Sequence, residues 1–229
     1  MKRLIFFLGI GLGGAAILIS LGVWQIQRLT WKQAILAQIQ EQIVQAPVAL
    51  PVGANAGDHS YLSATATGTV GTEFIRVLVS KKDVGAGYRV ISKLQLADQS
   101  ILLDRGFIPA SATIPNAPDG PVTIIGNLQW PQETDSYTPD PDIAKNIWFA
   151  RDVDVMAKTL ETAPIMLVAR EKSFDDTPIT PFPVDTVGIP NDHLQYAITW
   201  FSLAAIWLLM SLYFLRPTKQ SPTKQSRDI

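Results

Sequence analysis

The chain has 229 residues, a formal net charge of −1, no cysteine and a positive mean hydropathy of +0.17. The absence of cysteine excludes thiolate metal sites, iron–sulfur clusters and cysteine catalysis. Only four methionines are present and they are scattered, which disfavours a copper chaperone that binds through soft sulfur ligands. This length suits one folded domain accompanied by membrane segments.

An uncharged run of 21 residues opens the chain, from Leu4 to Trp24. It is longer than the apolar core of a secretory signal peptide, which has about 7–15 residues, and a poor cleavage site follows it. We therefore predict an uncleaved transmembrane helix over residues 4–24. Gly9 and Gly13 offer a smooth face on which a second membrane helix would pack closely.

The region between residues 25 and 190 changes from helical to strand-like patterning. Apolar residues recur at three-, four- and seven-residue steps from Gln25 to Gln45, which predicts an amphipathic stalk helix over residues 25–46. Within residues 47–190, turn residues separate six strand-like segments, and residues 152–159 are the one helical pattern. The six segments are Thr65–Val70, Glu73–Val79, Tyr88–Leu96, Ile101–Arg105, Val122–Trp130 and Ile165–Arg170. Many short strands with few helices favour an antiparallel β-barrel or sandwich-like domain.

One strand segment carries an unusual charged pair, Asp104 and Arg105. Successive side chains of a strand point to opposite faces of the sheet. We therefore expect each of these two residues to have its own partner of opposite charge.

A second uncharged run closes the apolar part of the chain, with 22 residues from Leu194 to Leu215. At about 1.5 Å per residue it spans a bilayer core of roughly 30 Å as a helix. We predict a transmembrane helix over residues 192–215 and a tail over residues 216–229.

The charge distribution predicts the topology. Lys2 and Arg3 precede the first span, and four basic residues follow the second, so the positive-inside rule makes both termini cytoplasmic. The segment between the spans holds 13 basic and 19 acidic residues, a net charge of −6, and is expected to be periplasmic. This acidity gives no reason to expect nucleic-acid binding. No transit peptide precedes the first span, which favours a bacterial inner (plasma) membrane protein embedded in the lipid bilayer.

His193 stands at the start of the second span and is one of two histidines in the chain. It shares one helix face with Ala197, Trp200 and Ala204, and Tyr196 lies beside that face. Asn191 is a suitable N-cap, which places His193 in the first helical turn, where the helix dipole favours the neutral imidazole that binds metals. Two interpretations stay open: His193 is a ligand for a flat metallated macrocycle, or an interfacial anchor in an ordinary aromatic belt.

Three stretches together carry a resemblance to a known family. They are the end of the first span (Leu21-Gly-Val-Trp24-Gln25-Ile-Gln-Arg28-Leu-Thr-Trp31-Lys32), the middle segments Gly87–Ile91 and Leu103–Pro109, and the start of the second span (Asn191–Phe201). Asn146-Ile-Trp148-Phe149-Ala-Arg-Asp152 is similar to a further family segment. The chain resembles the Surf/Shy (surfeit locus) family of haem–copper oxidase assembly factors over nearly its whole length.

The resemblance implies assistance in building cytochrome c oxidase or a related quinol oxidase. It implies transient binding of haem a, with His193 as the metal ligand, Trp200 and Tyr196 packing on the ring, and Trp24 and Gln25 closing the pocket. The implied partners are the catalytic subunit of a haem–copper oxidase, which receives the haem, and the haem a synthesis enzyme. The alternative is a membrane scaffold that binds no haem and stabilises an oxidase assembly intermediate.

No catalytic constellation is visible in the sequence. It contains no G-x-S-x-G elbow, no H-E-x-x-H and no P-loop. We therefore predict no catalytic residues and a role other than that of an enzyme.

Overall fold

The computed structural model describes Ile5, residues 7–82 and residues 84–215. The chain divides into two compact units. The first comprises the chain through Leu36 together with the chain from Ile189 onward, and the second runs from Ala37 to Gly188. The basic residues that flank the two predicted spans, and the predicted tail over residues 216–229, lie outside the described residues.

The elements follow one another with long helices at both ends of the described chain. In order they are a π-helical segment Phe7–Leu12, α1 Gly13–Val44, β1 Val48–Ala49, α2 Ala56–His59, β2 Ser63–Lys81, β3 Gly85–Gln95, β4 Ser100–Pro109, β5 Pro121–Leu128, α3 Val153–Thr159, β6 Met166–Lys172 and α4 His193–Leu215. The helical stretches Leu8–Val44 and His193–Leu215 are long and apolar enough to cross a membrane. No proline or glycine occurs from residue 25 to residue 44, so α1 continues without a break from the predicted span into the predicted stalk.

In the first unit, α1 and α4 approach each other closely at two glycines of α1. A Cβ atom added to Gly14 would lie 2.6 Å from Nε1 of Trp207, and one added to Gly22 would lie 2.7 Å from the ring of Phe201. The Trp207 indole donates to the carbonyls of Ile10 (3.2 Å) and Gly11 (3.0 Å). These bonds connect α4 to the π-helical segment.

The glycines predicted to form the packing face are not the ones that do so. Gly9 and Gly13 have no atoms within 4 Å of an added Cβ, whereas Gly14 and Gly22 do. Because an α-helix turns about 100° per residue, Gly9 and Gly13 lie on a different face from Gly14 and Gly22. The prediction of close glycine-mediated packing is confirmed, but its residues were wrong.

The second unit is built on a mixed six-stranded sheet. The strand order is β1-β2-β3-β4-β6-β5, and β2 also pairs with β5. The pairs β2–β3, β3–β4, β5–β6 and β2–β5 are antiparallel, whereas β1–β2 and β4–β6 are parallel. The expectation of a purely antiparallel barrel or sandwich is therefore corrected to a mixed sheet. Strand β6 follows the long connection through α3, and such a connection allows a strand to run parallel to a neighbour.

Strand β2 combines two segments that the sequence pattern separates. The register shifts between Val70 and Phe74, where Gly71 lies, so the strand is irregular but unbroken. Its first half pairs with β5 and its second half with β3. A bulge adds a residue without ending pairing, which is why turn-like composition at residues 71–72 suggested a boundary.

The core of the second unit lies on both faces of β4. Leu102 packs with Ile75, Met156 and Met166, whereas its neighbour Leu103 belongs to a different cluster of buried residues. Every residue from Ile101 to Ile108 is buried. A strand covered on both faces has a near-continuous apolar sequence, as Ile-Leu-Leu does here.

Asp104 and Arg105 each have the separate partner that strand alternation predicts. Nη1 of Arg89 donates to Asp104 at 2.5 Å, and Arg151 lies 3.6 Å from the same carboxylate. On the other face Arg105 pairs with Asp176, which also accepts a hydrogen bond from Lys172 at 2.7 Å. Both charges are fully buried, and buried charges are tolerated only when they are paired in this way.

The segment around Asn146 is held against β2. Its side chain donates to the carbonyl of Phe74 at 2.7 Å and accepts from the backbone N–H of Arg76 at 3.2 Å. Asn146 has a φ of 51°, in the left-handed region that asparagine tolerates better than most residues. Trp148 then enters the core and bridges to Val77. These contacts give the Asn-Ile-Trp-Phe sequence a structural role at the edge of β2.

Candidate functional site

His193 is the first residue of helix α4. The backbone N–H of Tyr196 donates to the carbonyl of Asp192 at 3.1 Å, which closes the first turn. The predicted position of His193 in the first turn is therefore confirmed. Asn191 does not cap the helix as predicted, because its Oδ1 is buried without a hydrogen-bond partner among the described residues.

Gln25 of helix α1 contacts His193 through a direct hydrogen bond. Nδ1 of His193 lies 2.8 Å from Oε1 of Gln25. Gln25 is only 8 % exposed although it lies at the end of an apolar run, and His193 is half-buried. A buried amide needs a partner, and the histidine ring nitrogen provides one.

With the Gln25 amide oxygen facing the ring, this contact favours one proton position on His193. An amide oxygen is only an acceptor, so Nδ1 is the donor. In the neutral imidazole the proton then resides on Nδ1, and Nε2 keeps its lone pair. Metal-binding histidines typically donate their other ring N–H to an oxygen acceptor, which orients the ring and increases the basicity of the ligand. The donor chemistry of this pair therefore fits a metal ligand.

The helix face below His193 is largely buried. Ala197 and Ala204 are 1 % and 3 % exposed, and Trp200 is half-buried. The prediction that these residues share one face with His193 is confirmed. The two alanines, however, are buried and leave no open surface for a flat ring. A ring bound at His193 is therefore restricted to the side of the helix on which exposed residues such as Tyr196 lie, which we call the open side.

The aromatic residues of the predicted site have different environments. Tyr196 is 55 % exposed and lies one turn after His193, on the open side. Trp24 is 49 % exposed, and its ring lies 6.0 Å from the guanidinium carbon of Arg28. Gln25 therefore forms a hydrogen bond with His193, whereas the ring of Trp24 contacts the guanidinium of Arg28.

Sequence reasoning missed the role of Arg28. The sequence analysis assigned no function to Arg28, a basic residue that the predicted topology would place on the outer side, against the positive-inside rule. The guanidinium lies 4.7 Å from the ring centre of Trp31, in addition to its contact with Trp24. The spacing Trp24, Arg28, Trp31 at i, i+4, i+7 is the signal that would have predicted this cluster on one helix face.

The fold and the site define a class of protein with two long apolar helices, joined by a partly buried Gln–His hydrogen bond, and a β-rich unit inserted between them in the sequence. The SURF1 family model matches residues 12–205. The chain belongs to the SURF1 family.

Curated relatives extend over most of the chain. A SURF1-like protein of Monosiga brevicollis is 30 % identical over 219 residues, which cover 86 % of this chain and 83 % of the relative. A SURF1-like protein of Rickettsia prowazekii (strain Madrid E) is 30 % identical over 226 residues, covering 93 % and 91 %. Surfeit locus protein 1 of Homo sapiens is 28 % identical over 226 residues, covering 87 % and 74 %. The resemblance to the surfeit locus family is therefore confirmed.

Proposed function

We propose that this protein is a membrane-anchored assembly factor for a haem–copper terminal oxidase that binds haem a through His193. Family membership supports the assembly role. The Gln25–His193 hydrogen bond supports the ligand role, because it leaves Nε2 as the free lone pair of an oriented imidazole. The client is the catalytic subunit of the oxidase, and the haem a synthesis enzyme is the source of the haem.

Three residues have separate roles in the proposed haem site. Gln25 orients the ring of His193, and His193 supplies the axial nitrogen. Tyr196 offers exposed aromatic surface beside the ligand. Bound haem a supplies no chemistry in this protein beyond its own transfer to the oxidase, so the pocket needs orientation and release rather than catalysis. The two apolar helices support a site at the bacterial inner membrane, and the charge distribution along the sequence supports a periplasmic second unit.

The test is an optical spectrum of the full chain purified after co-expression with the haem a synthesis enzymes. Reduced-minus-oxidised difference spectra are recorded for the wild type, His193→Ala and the control His59→Ala. His59 is the other histidine, and its Nδ1 accepts from the backbone N–H of Asn55 at 3.3 Å. We expect a haem a band in the wild type and in His59→Ala, and its loss in His193→Ala.

A colourless wild type in the presence of ample haem a contradicts the haem-binding role. The scaffold function then takes its place, and it makes a separate prediction. A scaffold with His193→Ala supports normal accumulation of the assembled oxidase, whereas a haem-binding factor with the same substitution does not.

A further inference from the structure

Arg28 forms a cationic cluster with two tryptophans on helix α1. Its guanidinium carbon lies 4.7 Å from the ring centre of Trp31 and 6.0 Å from that of Trp24. Trp24 and Trp31 are 49 % and 52 % exposed, and Arg28 is exposed as well. Contacts at these distances are attractive and hold the arginine along the helix instead of letting it extend freely into water. We call these three residues the Trp–Arg–Trp cluster.

Arg28 makes no ion pair among the described residues. Asp192, beside His193, is an acidic residue of the same unit and is not paired with Arg28, and the first acidic residue on α1 is Glu41. Glu41 is thirteen residues further along the helix, or about 20 Å at 1.5 Å per residue. Lys32, one turn after Arg28, adds a second cation. The guanidinium lies over the two rings and makes no hydrogen bond among the described residues, so its N–H groups remain available to an anion.

The cluster lies on a different side of α1 from the residues that contact α4. At about 100° per residue, Trp24, Arg28 and Trp31 fall within an arc of about 60°, whereas Gly22 is about 150° and Gln25 about 90° from its middle. Gly22 is the residue against which Phe201 of α4 packs. The cluster also begins where the uncharged run ends at Trp24, so tryptophan rings and cations follow directly on the apolar span. Tryptophan prefers this level of a bilayer, between hydrocarbon and water.

We propose that the Trp–Arg–Trp cluster binds the headgroup phosphate of an anionic phospholipid. The guanidinium edge donates paired N–H groups to the phosphate oxygens, the two indoles insert beside the glycerol region, and Lys32 adds to the local positive potential. This assignment explains the basic residues on the side where the positive-inside rule disfavours them. It depends on the membrane placement of α1 and is independent of haem binding.

The experiment uses the purified full chain without haem, in a neutral detergent. Native mass spectrometry measures the binding of dioleoylphosphatidylglycerol and dioleoylphosphatidylcholine to the wild type, Arg28→Gln, Trp31→Leu and the control Lys158→Gln. Lys158 is an exposed lysine on α3 of the second unit. One cation near a phosphate contributes about 1 kcal/mol, which corresponds to about fivefold in affinity.

We expect phosphatidylglycerol to bind more tightly than phosphatidylcholine. Arg28→Gln is expected to weaken phosphatidylglycerol binding about fivefold, and Trp31→Leu is expected to weaken it by a smaller factor. Lys158→Gln should leave it unchanged. Equal affinity for both lipids, or equal effects of Arg28→Gln and Lys158→Gln, would overturn the proposal. Displacement of the lipid by millimolar inorganic phosphate would also overturn it, because the site would then be a general anion site. Because haem is absent, these outcomes are independent of the optical test of His193.

Discussion

At the scale of single residues, the Gln25–His193 hydrogen bond is the feature on which the proposed site depends. The bond is 2.8 Å long and joins two polar side chains from segments 168 residues apart. Gln25 is almost fully buried, so its amide oxygen has few alternatives to the histidine ring. The tautomer of His193 therefore follows from a residue on a different helix.

Replacing Gln25 with Ala is expected to remove the preference of His193 for the tautomer with its proton on Nδ1. A hydrogen bond of this kind contributes about 0.5–1.5 kcal/mol, so its loss should change the ratio of the two tautomers about two- to tenfold. Nitrogen-15 NMR of the histidine-labelled protein without haem reads the proton position directly, and only two histidines contribute signals. Gln27→Ala is the matched control, because Gln27 is exposed and only two residues away.

A wild-type spectrum with the proton on Nε2 would contradict this account. An unchanged tautomer ratio in Gln25→Ala would show that the helix environment alone determines the protonated nitrogen. In either case the hydrogen bond would lose its role in preparing the ligand.

At the scale of secondary-structure elements, the contact between α1 and α4 depends on small residues that allow close approach. Gly14 faces the Trp207 indole, whose two hydrogen bonds to the carbonyls of Ile10 and Gly11 limit its movement. Without a hydrophobic driving force inside lipid, helices associate through such close packing and through polar contacts. The polar contacts here are the hydrogen bond between Gln25 and His193 and the two hydrogen bonds that the Trp207 indole donates to carbonyls of the π-helical segment that precedes α1.

Gly14→Ala is expected to weaken this helix pair. The added Cβ would lie 2.6 Å from Nε1 of Trp207, so the indole must move and lose its hydrogen bonds. Overpacking of this kind costs about 1–3 kcal/mol in free energy of unfolding. Thermal unfolding in detergent measures the change. Gly13→Ala is the matched control, since its added Cβ meets no atom within 4 Å. Equal stability of the two variants would contradict the packing described.

At the scale of the whole molecule, buried charges connect distant parts of the second unit. Arg151 contacts Asp104 on β4 and Glu133 in the loop after β5, and Arg89 of β3 contacts the same Asp104. Burial alone would raise the pKa of Glu133, but the hydrogen bonds and charge of Arg151 outweigh it and hold the pKa below its ordinary value. For Lys172 the effect of burial dominates. It lowers the pKa of the ammonium group, and the hydrogen bond and charge of Asp176 offset this only in part.

The lowered pKa of Glu133 predicts a loss of stability in acid. A carboxyl with a lower pKa in the folded than in the unfolded state stabilises the fold above its ordinary pKa of about 4.5. That contribution disappears as the pH falls through the lower folded value. Glu133 is partly exposed, so we expect only a few tenths to about 1 kcal/mol. The free energy of unfolding, measured from pH 7 to pH 3, should fall less steeply in Glu133→Gln than in the wild type. Glu161 is exposed, so Glu161→Gln serves as the control. The prediction is contradicted if the free energy of unfolding of Glu133→Gln falls with pH as steeply as that of the wild type.

The sequence by itself determined the local features, because they depend on residue type and spacing along the chain. Both apolar spans, the position of His193 in the first turn of α4, and five of the six strands follow from uncharged runs and alternation. Separate partners for Asp104 and Arg105 follow from the two-residue period of a strand.

Only the tertiary structure decided which distant groups meet. The parallel pairing of β4 with β6 depends on how the chain between them crosses the sheet, and alternation carries no information about strand direction. The choice of Gly14 and Gly22 over Gly9 and Gly13 depends on the rotation of one helix against another. The contact between Nδ1 of His193 and Oε1 of Gln25 joins two residues that the chain brings together only after folding. Contacts between residues far apart in sequence are selected by the packing of the whole fold, so short-range patterns cannot contain them.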